Sequence, residues 1–295
     1  MLALSNLILM IFRLSICNFK MKRERLLILV KTYPTLSTKY GETVCTAAIR
    51  EDGSWVRLYP VPFRRLGEIE QYKKYDWLEC RIVRNTQDRR PESYRPVDES
   101  ELRAIGHIGT QEEWCERRNI VLGKAKVFQT LDELIHGAKQ NEISLAVFKP
   151  AKVIDFIAER EDSREWDPKK LSAMRAQIDQ LSLFDDNEWR RTFRVIPKLP
   201  YKFSYRFEDS NGQRSQLQIL DWEIGALFWN CLWRDQRQNE QAAIEKVRAK
   251  YFDEFITKDL HFFLGTTLQF HSVAPNPWLI IGVFPAPYQT QLPLF

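Results

Sequence analysis

Between residues 26 and 83 the apolar positions come in short runs, at 26–30, 43–49, 54–58 and 77–83. These runs are rich in β-branched and aromatic residues and are broken by turn formers such as Glu51-Asp52-Gly53. Runs of that content predict strands, and their close spacing predicts a small barrel or a strongly curved sheet. The pattern then changes. A charged loop is predicted around Asp88-Arg89-Arg90-Pro91 and Pro96, and beyond it Thr110-x-x-Glu113 and Thr130-x-x-Glu133 fit capping boxes at helix starts. Runs at 143–148 and 152–157, split by Pro150, read as two strands that would return to close the first sheet.

Charged residues from Glu159 to Asp167 lead into a helix with Asp167 as cap, Pro168 at its first position, and Leu171, Met174, Ile178 and Leu181 at helical spacing. Further on, Tyr201, Phe203, Tyr205 and Phe207 alternate with Lys202, Ser204 and Arg206 before Asn211-Gly212, which predicts a hairpin. Helices are expected from Asp221 to about Trp233 and from Gln238 to about Thr257, the second with Ile244, Val247, Tyr251 and Phe255 on one face. Strands at 260–270 and 278–284 complete the pattern around Pro275-Asn276-Pro277.

Composition adds limits rather than a function. At 295 residues, 44% hydrophobic and 28% charged, the balance is that of an ordinary globular chain, and the +5 charge permits a phosphate partner without demanding one. Cys17, Cys45, Cys80, Cys115 and Cys231 form no Cys-x-x-Cys pair, so neither a zinc site nor a disulfide framework is signalled, and a cytoplasmic setting is expected. The apolar run at 7–12 is interrupted by Arg13 and preceded by no basic residue, unlike a signal peptide or a membrane span. No membrane partner is expected. Translation from Met21, directly before the first strand, would make residues 1–20 an upstream extension.

One five-residue pattern occurs twice, as Gln180-Leu181-Ser182-Leu183-Phe184 and as Gln291-Leu292-Pro293-Leu294-Phe295. A single match arises by chance in roughly one chain of this size in a few hundred. The pattern resembles the pentapeptide with which many bacterial replication and repair proteins dock on the DNA polymerase sliding clamp, and only Pro293 departs from its Gln-Leu-Ser/Asp-Leu-Phe form. The resemblance implies the clamp as a partner, contacted by Gln180, Leu181, Leu183, Phe184, Gln291, Leu292, Leu294 and Phe295. The internal copy can equally be the buried end of its helix, whereas the second, after Pro285 and Pro287, is expected to be an exposed tail.

Between Trp55 and Arg95 cations interleave with rings, and ten cations against six carboxylates place most of the chain's positive excess there. Trp55, Arg57, Tyr59, Arg64, Arg65, Lys73, Lys74, Arg81, Arg84, Arg89 and Arg90 are the candidate nucleic-acid contacts. Cations would track phosphates while rings stack on unpaired bases, which favours single strands. Aromatic strand residues are, however, usually core, and mixed charges usually solvated surface. The run at 42–49 with Gly53-Ser54-Trp55-Val56-Arg57 resembles the opening of the dual oligonucleotide/oligosaccharide-binding (OB) fold domains of bacterial defence loci, which implies small β-barrels with a nucleic-acid role.

Catalytic patterns are sparse. Asp253, Asp259, His261 and His271 are the richest set that could bring carboxylate and imidazole together for a metal, and no His-x-x-x-His pair occurs. No cofactor is implied. The predicted class is α+β: a β-rich OB-like module over 24–160, a linker helix over 161–190, a mixed helix and antiparallel-sheet module over 191–287, and a docking tail over 288–295. The reading is a non-enzymatic nucleic-acid-binding adaptor recruited to the clamp, in DNA repair, a mobile element or antiviral defence. The alternatives are a clamp-recruited metal-dependent nuclease, and a structural subunit whose motif matches are core packing.

Overall fold

The computed structural model describes residues 23–37, 41–61, 71–182, 195–234 and 239–289. Strands β1 (Glu24–Lys31), β2 (Thr35–Ser37), β3 (Gly41–Ile49), β4 (Trp55–Val61), β5 (Asp76–Cys80), β6 (Ile82–Arg84), β7 (Ser93–Pro96) and β8 (Ala104–His107) form one sheet. Its order is β6-β7-β4-β3-β1-β5-β8, with β2 added on β3. Register shifts fall between Ile28 and Val30 in β1, between Val44 and Thr46 in β3, and between Trp77 and Leu78 in β5. Such bulges increase twist locally, and the sheet curls into a half-barrel.

β1 is buried on both faces, which is why its sequence reads as one unbroken apolar run. Leu26 and Ile28 enter the core inside the curl with Val56, Leu58, Tyr72 and Leu78. Leu27, Leu29 and Val30 face the other way and pack with Val147, Phe263, Ile281 and Phe284 of the C-terminal half. One strand thus joins two cores. Helix α1 (Gln111–Lys124) closes the turn before β4. Lys124 Nζ donates to the Glu51 carbonyl at 2.7 Å, and at Gly53, with φ of +86°, a Cβ would stand 2.4 Å from the Lys124 oxygen. Only glycine fits that approach.

The remaining strands are β9 (Val127–Phe128), β10 (Leu145–Phe148), β11 (Lys152–Arg160), β12 (Tyr201–Glu208), β13 (Arg214–Gln218), β14 (Asp259–Thr266) and β15 (Trp278–Ala286). They make two further sheets, β15-β14-β10-β9 and β11-β12-β13. The helices are α2 (Leu131–Lys139), α3 (Pro168–Ser182), α4 (Trp222–Arg234) and α5 (Glu240–Arg248), the last running on as a π turn over Ala249–Glu254. The apolar faces of α2, α4 and α5 meet the aromatic rows of β12 and β14, Phe203, Tyr205, Phe207 and Phe262 among them, in a third core, whereas α3 lies against β2 and β3. The class is mixed α and β, as read.

Two expectations are corrected. The strands at 143–148 and 152–157 do not return to the first sheet: β10 lies between β14 and β9, and β11 pairs with β12. Strand patterns report burial, not partner, and β10 is buried at every residue because sheets cover it on both sides. The capping boxes also fail, since neither Thr110 nor Thr130 makes a side-chain cap bond. For α2 the acceptor comes from the distant hairpin: Asp209 Oδ2 takes the Leu131 N–H at 3.0 Å while its Oδ1 takes those of Asn211 and Gln213. The predicted Asp167 cap does form, accepting from Lys169 and Lys170 N–H at 2.9 and 3.1 Å.

Candidate nucleic-acid interface

The structure separates the predicted nucleic-acid contacts among the described residues into three groups. Arg57, Tyr59 and Arg90 come together in the wall of one cleft of about 450 Å³, at the seam between the curled sheet and the β14–β15 pair. Lys73, Arg84 and Arg89 are exposed outside that wall, Arg84 over the Tyr94 ring at 5.1 Å. The rest serve the fold: Trp55 sits edge-on to Phe263, Arg81 Nε donates to Glu101 at 2.9 Å, and Lys74 is buried against Asp221. Arg64, Arg65 and the residues of 291–295 lie outside the described residues, as do Leu183, Phe184 and the side chains of Gln180 and Leu181.

Arg57 is fully buried because β4 turns it inward against β10. There its guanidinium donates to Ser144 Oγ at 2.8 Å and to the Ser144 carbonyl at 2.9 Å. Ser144 in turn donates its N–H and hydroxyl to Glu92, at 3.0 and 2.5 Å. Burial, then the neighbouring Arg90 charge, hold Arg57 below its ordinary range. Arg90 is fixed by Asp88, which accepts from Nε at 2.9 Å and Nη2 at 2.5 Å, and by the Thr266 carbonyl. Burial alone would raise the Asp88 carboxyl, but the Arg90 guanidinium and Ser93 hydroxyl outweigh it and bring it to about 2. The cleft therefore has a rigid, ionised base, each charge held by bonds across two or more elements.

Its rim is less charged. Tyr33, Thr35 and Cys45 line one side, Asn85 and Gln87 another, and Leu220, Leu279 and Ile281 supply apolar wall. The loop leaving β14 contributes Thr267 and Leu268, and beyond the cleft exposes Phe270 and Val273. This loop is anchored by His271, fully buried, whose Nε2–H donates to Asn141 Oδ1 at 2.9 Å while the Thr266 hydroxyl donates to Nδ1 at 2.9 Å. Burial and the Arg90 and Arg57 charges push His271 down to about 4.

The carboxylate and histidine set at the end of the chain is dispersed. Asp253 is exposed, and Asp259 is held by Lys149 and, at 2.7 Å, by Arg118. His261 places Nδ1 3.1 Å from the Asp259 carbonyl, and His271 belongs to the loop just described. Among the described residues no group of three or more His, Cys, Asp or Glu is placed to hold a metal ion. Among them, too, no helix is long and apolar enough to cross a membrane. Arg118 also donates to the Pro287 carbonyl at 3.2 Å, fixing the chain as it leaves β15, and the next residue, Tyr288, is 62% exposed.

Sequence reasoning found Arg57, Tyr59 and Arg90 but missed their setting. Asp88 was read only as part of a charged loop, Asn85 was not singled out, and nothing local announces that residues 265–268 line the same cleft. The division of the sheets between α1 and β9 coincides with two family matches. Residues 22–123 match a domain of unknown function, DUF8758, and residues 127–295, more than half the chain, match another, DUF8757. The chain belongs to the DUF8757 family. No curated protein matches it.

Proposed function

We propose that this DUF8757 chain is a non-enzymatic nucleic-acid-binding adaptor brought to the DNA polymerase sliding clamp, its half-barrel acting as an OB-like module. The observation that carries the reading is the repeated Gln-Leu-x-Leu-Phe segment, because Leu and Phe anchors with one amide at the rim are what a preformed apolar pocket needs. The positions of the flanking residues support it. α3 runs into the first copy, and Tyr288 brings the chain to the surface three residues before the second. On a ring with repeated pockets, a second segment raises the effective concentration of the first.

For the nucleic acid, the seam cleft brings together buried cations, the Tyr33 and Tyr59 rings and apolar wall, with Arg84 and Arg89 exposed nearby in sequence. That combination suits an unpaired strand, whose bases are free to leave the solvent. The test is capture of purified clamp by the full chain, by Phe295→Ala, by Phe184→Ala and by the double variant. Each single variant is expected to weaken capture and the double variant to abolish it. Unchanged capture by the double variant would overturn the clamp reading.

A further inference from the structure

The seam cleft has the features of a receptacle rather than a groove. Its volume of about 450 Å³ falls within the range of roughly 300–1,000 Å³ typical of small-molecule sites. A duplex does not enter a hollow of that size, but one unit of a strand does. Thr267 is one of its lining residues, and the Thr267 hydroxyl, shielded from solvent, has no hydrogen-bond partner among the described residues. Buried hydroxyls are ordinarily paired, so an orphan in the wall of a cleft points to a polar group that belongs beside it.

The chemistry of the lining narrows the occupant. Leu279 and Ile281 offer an apolar surface, while Asn85 and Gln87 bring amides and Asp88 and Arg90 a carboxylate and guanidinium already bonded to each other. These amide, carboxylate and guanidinium groups are the ones that pair with base edges. A purely anionic ligand would meet Asp88 as well as the two arginines, whereas a heterocycle carrying both donors and acceptors matches the mixture. A second hollow of about 370 Å³ shares Pro60, Asn85 and Gln87 with the cleft and is lined by Arg95, which is exposed. The shared wall gives a strand a route onward, with a cation for the adjoining phosphate.

We propose that the seam cleft receives a single unpaired nucleobase of a bound strand, seated against Leu279 and Ile281, with Thr267, Asn85 and Gln87 reading its polar edge beside the Asp88–Arg90 pair. This rests on the reading of the chain as a nucleic-acid binder, and names the unit that it grips.

Cys45 lines the cleft and reports on its occupancy, with Cys115 and Cys231, half-buried elsewhere, as internal controls. The full chain is treated with iodoacetamide alone, with a twelve-residue oligothymidylate, and with an abasic strand of the same length, and alkylation of each cysteine is followed by mass spectrometry. Anisotropy of the labelled strands measures binding in parallel. Protection of Cys45 by the oligothymidylate but not by the abasic strand is expected. Equal protection by both strands, or binding of the oligothymidylate with no protection, overturns the base receptacle and leaves the nucleic-acid reading intact; failure of any strand to bind overturns both. Thr267→Val is the second arm. Deleting an orphan hydroxyl is expected to leave the melting temperature unchanged or raised, while weakening the oligothymidylate roughly two- to tenfold, the value of one hydrogen bond. A lowered melting temperature, or unaltered affinity, counts against the assignment.

Discussion

Asp221→Ala tests how firmly the two halves are joined. Lys74, from the N-terminal half, places Nζ 2.9 Å from Asp221 and 2.9 Å from Glu223, and the Lys74 and Asp221 side chains are only 6% and 0% exposed. Burial lowers a lysine, but the two carboxylates outweigh it and hold Lys74 above its ordinary range. Alanine at 221 leaves a buried ammonium with one partner, Glu223, that is 57% exposed and screened by solvent. It also removes the acceptor of the Glu223 N–H at the start of α4. Breaking one side of a buried pair costs about 3–5 kcal/mol. At roughly 2–4 °C per kcal/mol for a chain of this size, the melting temperature should fall by about 6–20 °C. Lys74→Met with Asp221→Leu should recover most of the loss, because an apolar pair of similar volume removes the desolvation cost. Thermal melts followed by near-ultraviolet circular dichroism suffice. An unchanged melting temperature in Asp221→Ala, or a double variant as unstable as the single one, would refute the reasoning. Lys74→Met measured well below its melting temperature should leave single-strand affinity unaltered, since that ammonium faces a carboxylate and not solvent.

Acid should weaken the fold through two histidines. His261 and His271 are both pushed from 6.5 to about 4 in the folded chain, so between those values the unfolded state binds more protons. Their contribution is present above about 6.5 and is lost as the pH falls towards 4; urea midpoints from pH 8 to 4 should show the decline, and His271→Gln should flatten part of it. Gly53→Ala should lower the urea midpoint, because φ of +86° and the 2.4 Å approach to Lys124 both oppose a Cβ. A midpoint matching the parent chain would contradict the packing of α1 on that turn.

Local structure was legible where one residue's neighbours in sequence are also its neighbours in space. The hairpin of β12 and β13 around Asn211-Gly212, with Gly212 at φ of +79°, follows from alternation and one glycine. The face of Val247, Tyr251 and Phe255 follows from helical spacing, although the π turn that carries Tyr251 does not. Partners at long range were not legible. Nothing near Asp209 says that it will cap a helix seventy-odd positions earlier, and nothing near Arg57 says that Ser144 will receive it. The charge stripe between Trp55 and Arg95 likewise contained cations of three kinds, and only tertiary packing separates Lys74 and Arg81, which brace the scaffold, from Arg57 and Arg90, which line the cleft, and from Arg89, which faces water.

The bond from Arg118 to Pro287 has a mechanical corollary. Three peptide steps separate Tyr288 from Gln291, a leash no longer than about 11 Å when drawn out fully. Any molecule that grips Gln291 is therefore moored close alongside the end of β15, with little slack to swing, so the orientation in which the seam cleft is presented would be inherited from the mooring point.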